Sequence, residues 1–213
     1  MTKLQPPRLP KNLPPETLTQ LEEYREYASI EISGSDLTGQ SAGNVLFEGV
    51  SLRRTNLTGS RLPKLRLLDV RLEACDLSGT FLEEARFRRV ELIGCRLLGT
   101  QLLSAQLDDV RFKECNLEGA VFASSQTKFL RFENCSLRNA TFEGASLEGT
   151  IFQQCNLSNV DLRNTNLQKA DLRGSTLDGL QVTAKDMQGV IISSTQAVQT
   201  VGLLGVTVLD ENL

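Results

Sequence analysis

One regularity limits what this chain can fold into more than any other. A large apolar residue recurs at every fifth position, with no slip in frame, from Ile32 to Val182. Of the 31 residues in this series, 27 are Leu or Phe; the exceptions are Ile32, Ala42, Thr127 and Val182. Helical amphipathicity has a period near 3.6 and a half-buried strand a period of 2, so neither produces a period of five. Such regularity points to a solenoid, in which each unit buries its apolar side against the next. A second column lies two residues before each large one. It holds small or β-branched residues such as Val45, Val50, Thr55, Cys75, Thr80, Ala85 and Val90, and no charge between Ile30 and Leu180. A charge there would be buried without a partner. The other three positions carry nearly all the polar side chains. Glycine follows the large residue by two positions, as at Gly59, Gly79, Gly99 and Gly119; a tight turn with φ > 0 suits it there.

The units Cys75-Asp76-Leu77-Ser78-Gly79, Cys115-Asn116-Leu117-Glu118-Gly119, Cys155-Asn156-Leu157-Ser158-Asn159 and Ala170-Asp171-Leu172-Arg173-Gly174 follow the pattern A-(D/N)-L-x-x. Over about residues 30–182 the chain thereby resembles the pentapeptide-repeat family. The resemblance implies an all-β fold: a right-handed quadrilateral parallel β-helix with four pentapeptides per coil. The cysteines support a twenty-residue coil independently, because all five (Cys75, Cys95, Cys115, Cys135, Cys155) are spaced by 20. With four faces available to a small-column residue, that alignment has a chance of roughly one in 256. Phe112, Phe132 and Phe152 then stack on one face, and Phe122 and Phe142 on another. About 7.5 coils at the usual β spacing of ~4.8 Å make a rod of roughly 35–40 Å.

A solenoid exposes an unpaired edge at each end and needs caps. Three segments are expected: an N-terminal extension and capping helix (1–29), the repeat body (30–184), and a C-terminal capping helix and strand (185–213). Pro14-Pro15-Glu16 suits the start of a short helix over Thr17–Tyr27, with Leu18, Leu21 and Tyr24 toward the first coil. Ser193-Ser194 precede a capped helix over Thr195–Leu204, and Val206 and Val208 alternate as a final strand would. The tail is more apolar than a plug requires, through Val190, Ile191, Ile192, Val198, Val201, Leu203, Leu204 and Val206. In several relatives such a helix and strand make a two-fold dimer, so these residues are a candidate homodimer interface; a monomer whose tail only closes its own end is the alternative. Thr127, with Phe129 and Leu130 close by, marks a local bulge, a place where Phe129 fills in, or a tolerated packing defect.

Several function classes are not expected. The chain has no histidine, which removes His-dependent triads and His-containing zinc sites. No P-loop, G-x-G-x-x-G or EF-hand pattern occurs. No catalytic, cofactor or metal-binding residue is expected, and no small-molecule substrate; the reading is not an enzyme. The cysteine column could hold a soft metal or oxidise pairwise, against the plainer reading that Cys fills the small inward site as Ala does elsewhere. Asn56, Asn134, Asn139 and Asn156 begin N-x-S/T strings, which an (N/D)-L-(S/T) repeat generates automatically. No apolar run approaches the roughly 18 residues of a membrane span. The polar, Pro-rich N-terminus does not suit a secretory signal, so a cytoplasmic location with reduced thiols is expected.

What remains is binding. Formal net charge is −3, and outward positions of residues 32–182 carry 18 acidic and 18 basic residues. Direct nucleic-acid binding is not expected, and the column Arg71, Glu91, Arg111, Arg131 looks like a salt-bridge ladder rather than a phosphate track. Phe81, Leu98, Leu103 and Val121, with Ala123, are outward apolar residues and form a candidate partner-binding surface. The leading expectation is a non-catalytic protein-interaction scaffold. The alternative comes from the family resemblance: some members act on DNA gyrase or topoisomerase IV, in quinolone resistance or toxin immunity, and are proposed to mimic DNA. The unbroken frame here is similar to the loop-free members. A rod without an acidic stripe imitates duplex charge poorly, since DNA carries one negative charge per ~1.7 Å.

Overall fold

The computed structural model describes residues 4–203 and 205–207, and of Leu203 the backbone only. The chain winds as a parallel β-solenoid. Every strand pairs with one twenty residues away, except β1 (Pro15–Glu16), which joins β3 (Glu31–Ser33) in the register Pro15↔Glu31. The coil has four faces, here named by their inward residues. Ile32, Leu52 and Leu72 mark the first, Leu37, Leu57 and Leu77 the second, Leu62, Leu82 and Leu102 the third, and Tyr27, Phe47 and Leu67 the fourth. β6 (Arg66–Glu73), β7 (Arg86–Ile93), β8 (Gln106–Lys113) and β9 (Gln126–Glu133) each run around the corner from the fourth face to the first. Shorter strands extend these two faces: β2 (Glu26–Ala28), β4 (Leu46–Glu48), β5 (Ser51–Arg53) and β10 (Ile151–Gln153). On the second and third faces the ladders thin to single bridges, such as Asp76↔Arg96↔Asn116 and Phe81↔Gln101↔Val121.

The corner geometry explains the period. Every fifth residue from Tyr24 to Gly179 has a positive φ, without exception. Glycine takes that position at Gly79 (φ 62) and Gly119 (φ 67), but Arg54 (φ 48), Asp69 (φ 55), Glu84 (φ 56) and Asp109 (φ 56) take it too. An L-residue there costs about 1–2 kcal/mol. That cost is accepted at corner after corner because the flanking coils dictate the turn.

Inside, the large and small columns form one continuous buried core. Phe112, Phe132 and Phe152 stack with centroids 5.0 Å apart, and Phe122 stacks on Phe142 at 4.7 Å. The two stacks meet edge-on, as between Phe122 and Phe132 (6.1 Å). Polar members of the small column donate to the coil below. Thr80 Oγ1 bonds the Leu57 carbonyl at 2.8 Å, Thr100 Oγ1 that of Leu77 at 2.7 Å, and Ser125 Oγ that of Leu102 at 2.8 Å. Thr127 interrupts the large column without a bulge: the register Leu107↔Thr127 continues unbroken, and Thr127 Oγ1 donates to Ser146 O at 2.8 Å. Phe129 does not replace it. It sits at a corner with φ 56, and the Lys128 ammonium lies 5.6 Å from its ring centroid.

The N-terminal cap is not the expected helix. Residues 17–25 contain no helix, and β1 and β2 (Glu26–Ala28) flank them. Leu18 and Leu21 are buried as expected, but Tyr24 is 75% exposed and Tyr27 takes the inward place, stacked on Phe47 at 5.1 Å. The reason is competition for hydrogen bonds. So short a helix is marginal in isolation, whereas the first coil offers a rigid edge of open donors and acceptors. The segment bonds to that edge: Leu18 N–H donates to Ser35 Oγ at 3.0 Å, and Glu31 N–H to Pro14 O at 2.9 Å.

At the other end the coil register outlasts the regular motif, with bridges Asp161↔Gln181 and Asp171↔Ile191. The chain then enters α1 (Ser194–Leu203). Ser193 and Gln196 form a capping box: Ser193 N–H donates to Gln196 Oε1 at 2.9 Å and Gln196 N–H to Ser193 Oγ at 3.3 Å. The same Gln196, 5% exposed, donates through Nε2 to the Leu172 carbonyl at 2.8 Å and the Ser175 carbonyl at 2.7 Å. One side chain thus starts the helix and satisfies two carbonyls of the coil end. Gly205 (φ 79) follows the helix as a left-handed residue, and Val206 and Thr207 form no strand. Val208 lies outside the described residues.

Candidate interaction surfaces

The apolar residues singled out on the third face do come together. Phe81, Gln101 and Val121 occupy one column on successive coils. Leu103 and Ala123 lie in the parallel column two residues on. Leu98 sits on the second face, where its carbonyl accepts the Gly79 N–H at 2.8 Å. Phe81 is 37% exposed, and the Arg61 guanidinium carbon stands 4.5 Å from its ring centroid. Leu98, Leu103, Val121 and Ala123 are half-buried. A side chain on these columns cannot turn inward, because the pleat sends its neighbours Leu82, Leu102 and Phe122 into the core. Their exposure is therefore imposed by the frame.

The C-terminal candidates divide. Val190 and Ile192 are half-buried and pack on the core. Ile191 (42% exposed), Val198 (60%) and Val206 (53%) face outward. Val201 is half-buried. Leu204 and the Leu203 side chain lie outside what the structure describes.

The first face carries a charge ladder. Arg71 Nη2 reaches Glu91 at 2.9 Å, Arg111 bridges Glu91 at 3.5 Å and Glu133 at 2.6 Å, and Arg131 meets Glu133 at 3.3 Å. Arg53 joins below through Glu73 at 3.4 Å and Glu31 at 3.6 Å. Burial works against the Glu133 carboxylate, yet Arg111 and Arg131 hold it below its ordinary range. These arginines are engaged with carboxylates rather than presented as a row of free cations.

The cysteines are all free and buried. Cys115 Sγ donates toward the Leu92 carbonyl at 3.4 Å, and Cys135 Sγ toward Phe112 O at 3.4 Å. Thr80 and Thr100 make the same connection one face on. The thiol is thus a larger hydroxyl with a structural bond. Hydrogen bonds between adjoining thiols push Cys75, Cys115 and Cys155 up and Cys95 and Cys135 down, while burial opposes ionisation of all five. Among the described residues, no three His, Cys, Asp or Glu side chains converge as a metal site, and no helix is long and apolar enough to cross a membrane.

Sequence reasoning missed one surface. Residues 4–14 form a strap that lies along the corner between the fourth and first faces. Gln5 N–H donates to Asp109 Oδ1 and Arg8 N–H to Asp69 Oδ1, both at 2.9 Å. Arg89, on the coil between them, is 8% exposed and forks onto Asp69 with two bonds of 2.6 Å. Burial opposes ionisation of Asp69, but Arg89 and the Arg8 N–H together hold it below its usual range. Pro10 closes over Gly49, where an added Cβ would stand 3.4 Å from its Cδ. Ser51 points outward yet is only 3% exposed, and a groove of about 730 Å³ separates strap residues 9–14 from Glu31, Ser51, Arg53 and Arg71. The available signal was the pair of double prolines, Pro6-Pro7 and Pro14-Pro15, at the two ends of the segment.

Comparison with known proteins agrees with this geometry. The description "Pentapeptide repeat region" matches residues 65–142, and "Pentapeptide repeats (8 copies)" matches 31–64, 142–179 and 154–191. No curated protein matches the chain. Among solved structures, HetL, a pentapeptide repeat protein involved in heterocyst differentiation regulation from the cyanobacterium Nostoc sp. strain PCC 7120, is 20% identical. That match covers 81% of this chain and 89% of HetL, with a TM-score of 0.50. A trypsin-treated variant of QnrB1, a plasmid-mediated fluoroquinolone resistance protein, is 21% identical over 92% of this chain and 98% of its own, with a TM-score of 0.47. At 20% identity the likeness to HetL shows the fold alone. With the motif matched from residue 31 to 191 and the four-sided coil that it builds, the chain belongs to the pentapeptide-repeat family.

Proposed function

We propose that this protein is a non-catalytic scaffold that docks a protein partner on its third face. The observation that carries this reading is the cluster of Phe81, Leu103 and Val121, with Leu98 around the corner, on a surface whose other outward positions are mostly polar. A frame that dictates which residues face out gives no packing reason for a Phe at position 81, where the same column carries Arg61, Gln101, Thr141 and Asp161. Aromatic and aliphatic anchors of this kind dominate binding energy at protein interfaces. The Arg61–Phe81 contact adds a cation over the ring, a pairing common at recognition surfaces.

The charge layout weighs against DNA mimicry as the mode of action. Arg71, Arg111 and Arg131 of the first face are tied to Glu91 and Glu133 in ion pairs, and Arg66, Arg86 and Arg88 lie exposed on the fourth. The C-terminal end, with Ile191, Val198 and Val206 outward, is the surface we assign to self-association. Affinity capture from source-cell lysate, comparing the wild type with Phe81→Asp/Val121→Asp, tests the docking face. Loss of specific partners in the variant supports it, and an unchanged set refutes it. A gyrase supercoiling titration with and without a fluoroquinolone tests the alternative target. Inhibition or drug protection by folded protein would replace this reading with a topoisomerase-directed one.

A further inference from the structure

The strap is anchored in a way that depends on spacing. Gln5 and Arg8 are three residues apart, and the carboxylates that receive their N–H groups, Asp109 and Asp69, are two coils apart. Two coils rise about 9.6 Å at the usual β spacing. Three residues of a polyproline-II helix rise about 9.3 Å and return to the same side of that helix. The two periods therefore match, so every third residue of such a segment faces every second coil of the corner. Pro6 and Pro7 fill the interval. They favour this conformation and contribute no N–H that would go unbonded. The coil between the carboxylates holds Arg89, which ties down Asp69.

The corner makes few demands on the identity of the strap's side chains. Its two hydrogen bonds go to the backbone, and Leu4, Pro7, Leu9 and Leu13 are only half-buried. It reads an extended shape and a donor-Pro-Pro-donor spacing. We infer that the Asp109–Arg89–Asp69–Gly49 corner is a binding groove for proline-rich, polyproline-II segments, which the chain's own residues 4–10 occupy in cis and a partner's proline-rich segment of the same spacing occupies in trans. This surface lies diagonally across the coil from the Phe81 patch, so the two assignments are independent. A cis occupant competes at an effective concentration in the millimolar range, so the groove is masked until the strap is released.

The full chain carrying Gln5→Pro and Arg8→Pro tests this. Both substitutions keep the extended shape and delete the two N–H donors. The expected first result is strap release, read as at least about tenfold faster tryptic cleavage at Lys11 with an unchanged circular dichroism spectrum. The second readout is fluorescence anisotropy of a labelled synthetic peptide of residues 4–14. At up to about 1 mM, the peptide is expected to bind the double variant at least about tenfold more tightly than the wild type. The same peptide with proline at both donor positions is expected to bind neither protein. Unchanged cleavage at Lys11 would overturn the anchoring argument. Failure of the peptide to bind the opened variant would overturn the groove, as would equal binding to both proteins or by the donor-free peptide.

Discussion

Replacing Phe132 with alanine tests how the core is built. Phe132 is fully buried and stands at the centre of the aromatic cluster, stacked between Phe112 and Phe152 at 5.0 Å. Phe122 and Phe142 meet it edge-on at 6.1 and 6.3 Å. A buried Phe→Ala change costs about 3–5 kcal/mol, depending on how far the site collapses. Here collapse is restricted, because ladder hydrogen bonds above and below fix the spacing between coils. The loss should therefore lie near the top of that range, at about 4–5 kcal/mol. Phe132→Leu is the informative partner variant. Leu92 and Leu72 occupy the same column two and three coils below, so a leucine fits the frame and leaves little void. Its cost reduces to the four lost aromatic pairs, at roughly 0.5–1.5 kcal/mol each and partly offset by the leucine's own contacts, which leaves about 2–3 kcal/mol. Urea unfolding followed by circular dichroism reads both as shifts in midpoint at constant slope. A smaller slope in the alanine variant would show the solenoid parting at that coil, as a nearest-neighbour array allows. An alanine variant within about 1.5 kcal/mol of wild type would refute the rigid-spacing argument, as would a leucine variant as damaged as the alanine one.

Other outcomes follow from the same structure. Gln196→Ala removes the capping-box acceptor and orphans the Leu172 and Ser175 carbonyls; a loss of about 2–3 kcal/mol in thermal or urea unfolding is expected. At the corners, Gly79→Ala (φ 62, open space around the added Cβ) should lose about 1 kcal/mol, while Arg54→Gly (φ 48) should gain about 0.5 kcal/mol, the left-handed strain relieved less glycine's entropy. Asp69, Glu133, Asp161 and Asp171 all have depressed pKa values in the fold. Their stabilisation is complete above the unfolded carboxylate range and disappears as pH falls through the lowered folded values, so acid unfolding should set in below about pH 4. With no histidine in the chain, the unfolding midpoint should stay flat between about pH 5 and 8; a slope there would show that another group is coupled to folding. Val198→Glu should lower the association state seen by sedimentation if the C-terminal end pairs two copies.

The inward half of the molecule was legible because it is redundant. The residues from Leu52 to Leu177 each report the same frame, so Thr127 could depart from it without shifting the Leu107↔Thr127 register. The caps were legible where a local rule sufficed and not where a competing surface decided. Ser193 and Gln196 carry a capping box within one short stretch of sequence, and the helix forms as expected. Thr17–Tyr27 has acceptable helix composition, but the open edge of the first coil competes more strongly for its backbone. That edge is a tertiary fact, visible only in the pairing of Pro15 with Glu31 and Tyr27 with Phe47. The strap was hidden for the same reason: nothing near Gln5 or Arg8 in sequence says that their partners are Asp109 and Asp69.

Outward residues obey a weaker constraint. The frame decides only that a residue faces out and on which face. The same outward column therefore holds Arg61, Phe81, Gln101, Val121, Thr141 and Asp161 with equal backbone geometry. A departure from polarity in such a column has no folding explanation, which turns Phe81 and Val121 into an argument rather than a curiosity. The corner beneath the strap is built the same way. Asp69, Arg89 and Asp109 all accept left-handed strain that glycine would avoid, and Asp69 and Asp109 receive the strap backbone while Arg89 braces Asp69. Asp109→Gly should relieve the local strain and yet free the strap. A variant that is more stable in urea but cut faster at Lys11 would separate the folding role of that corner from its binding role.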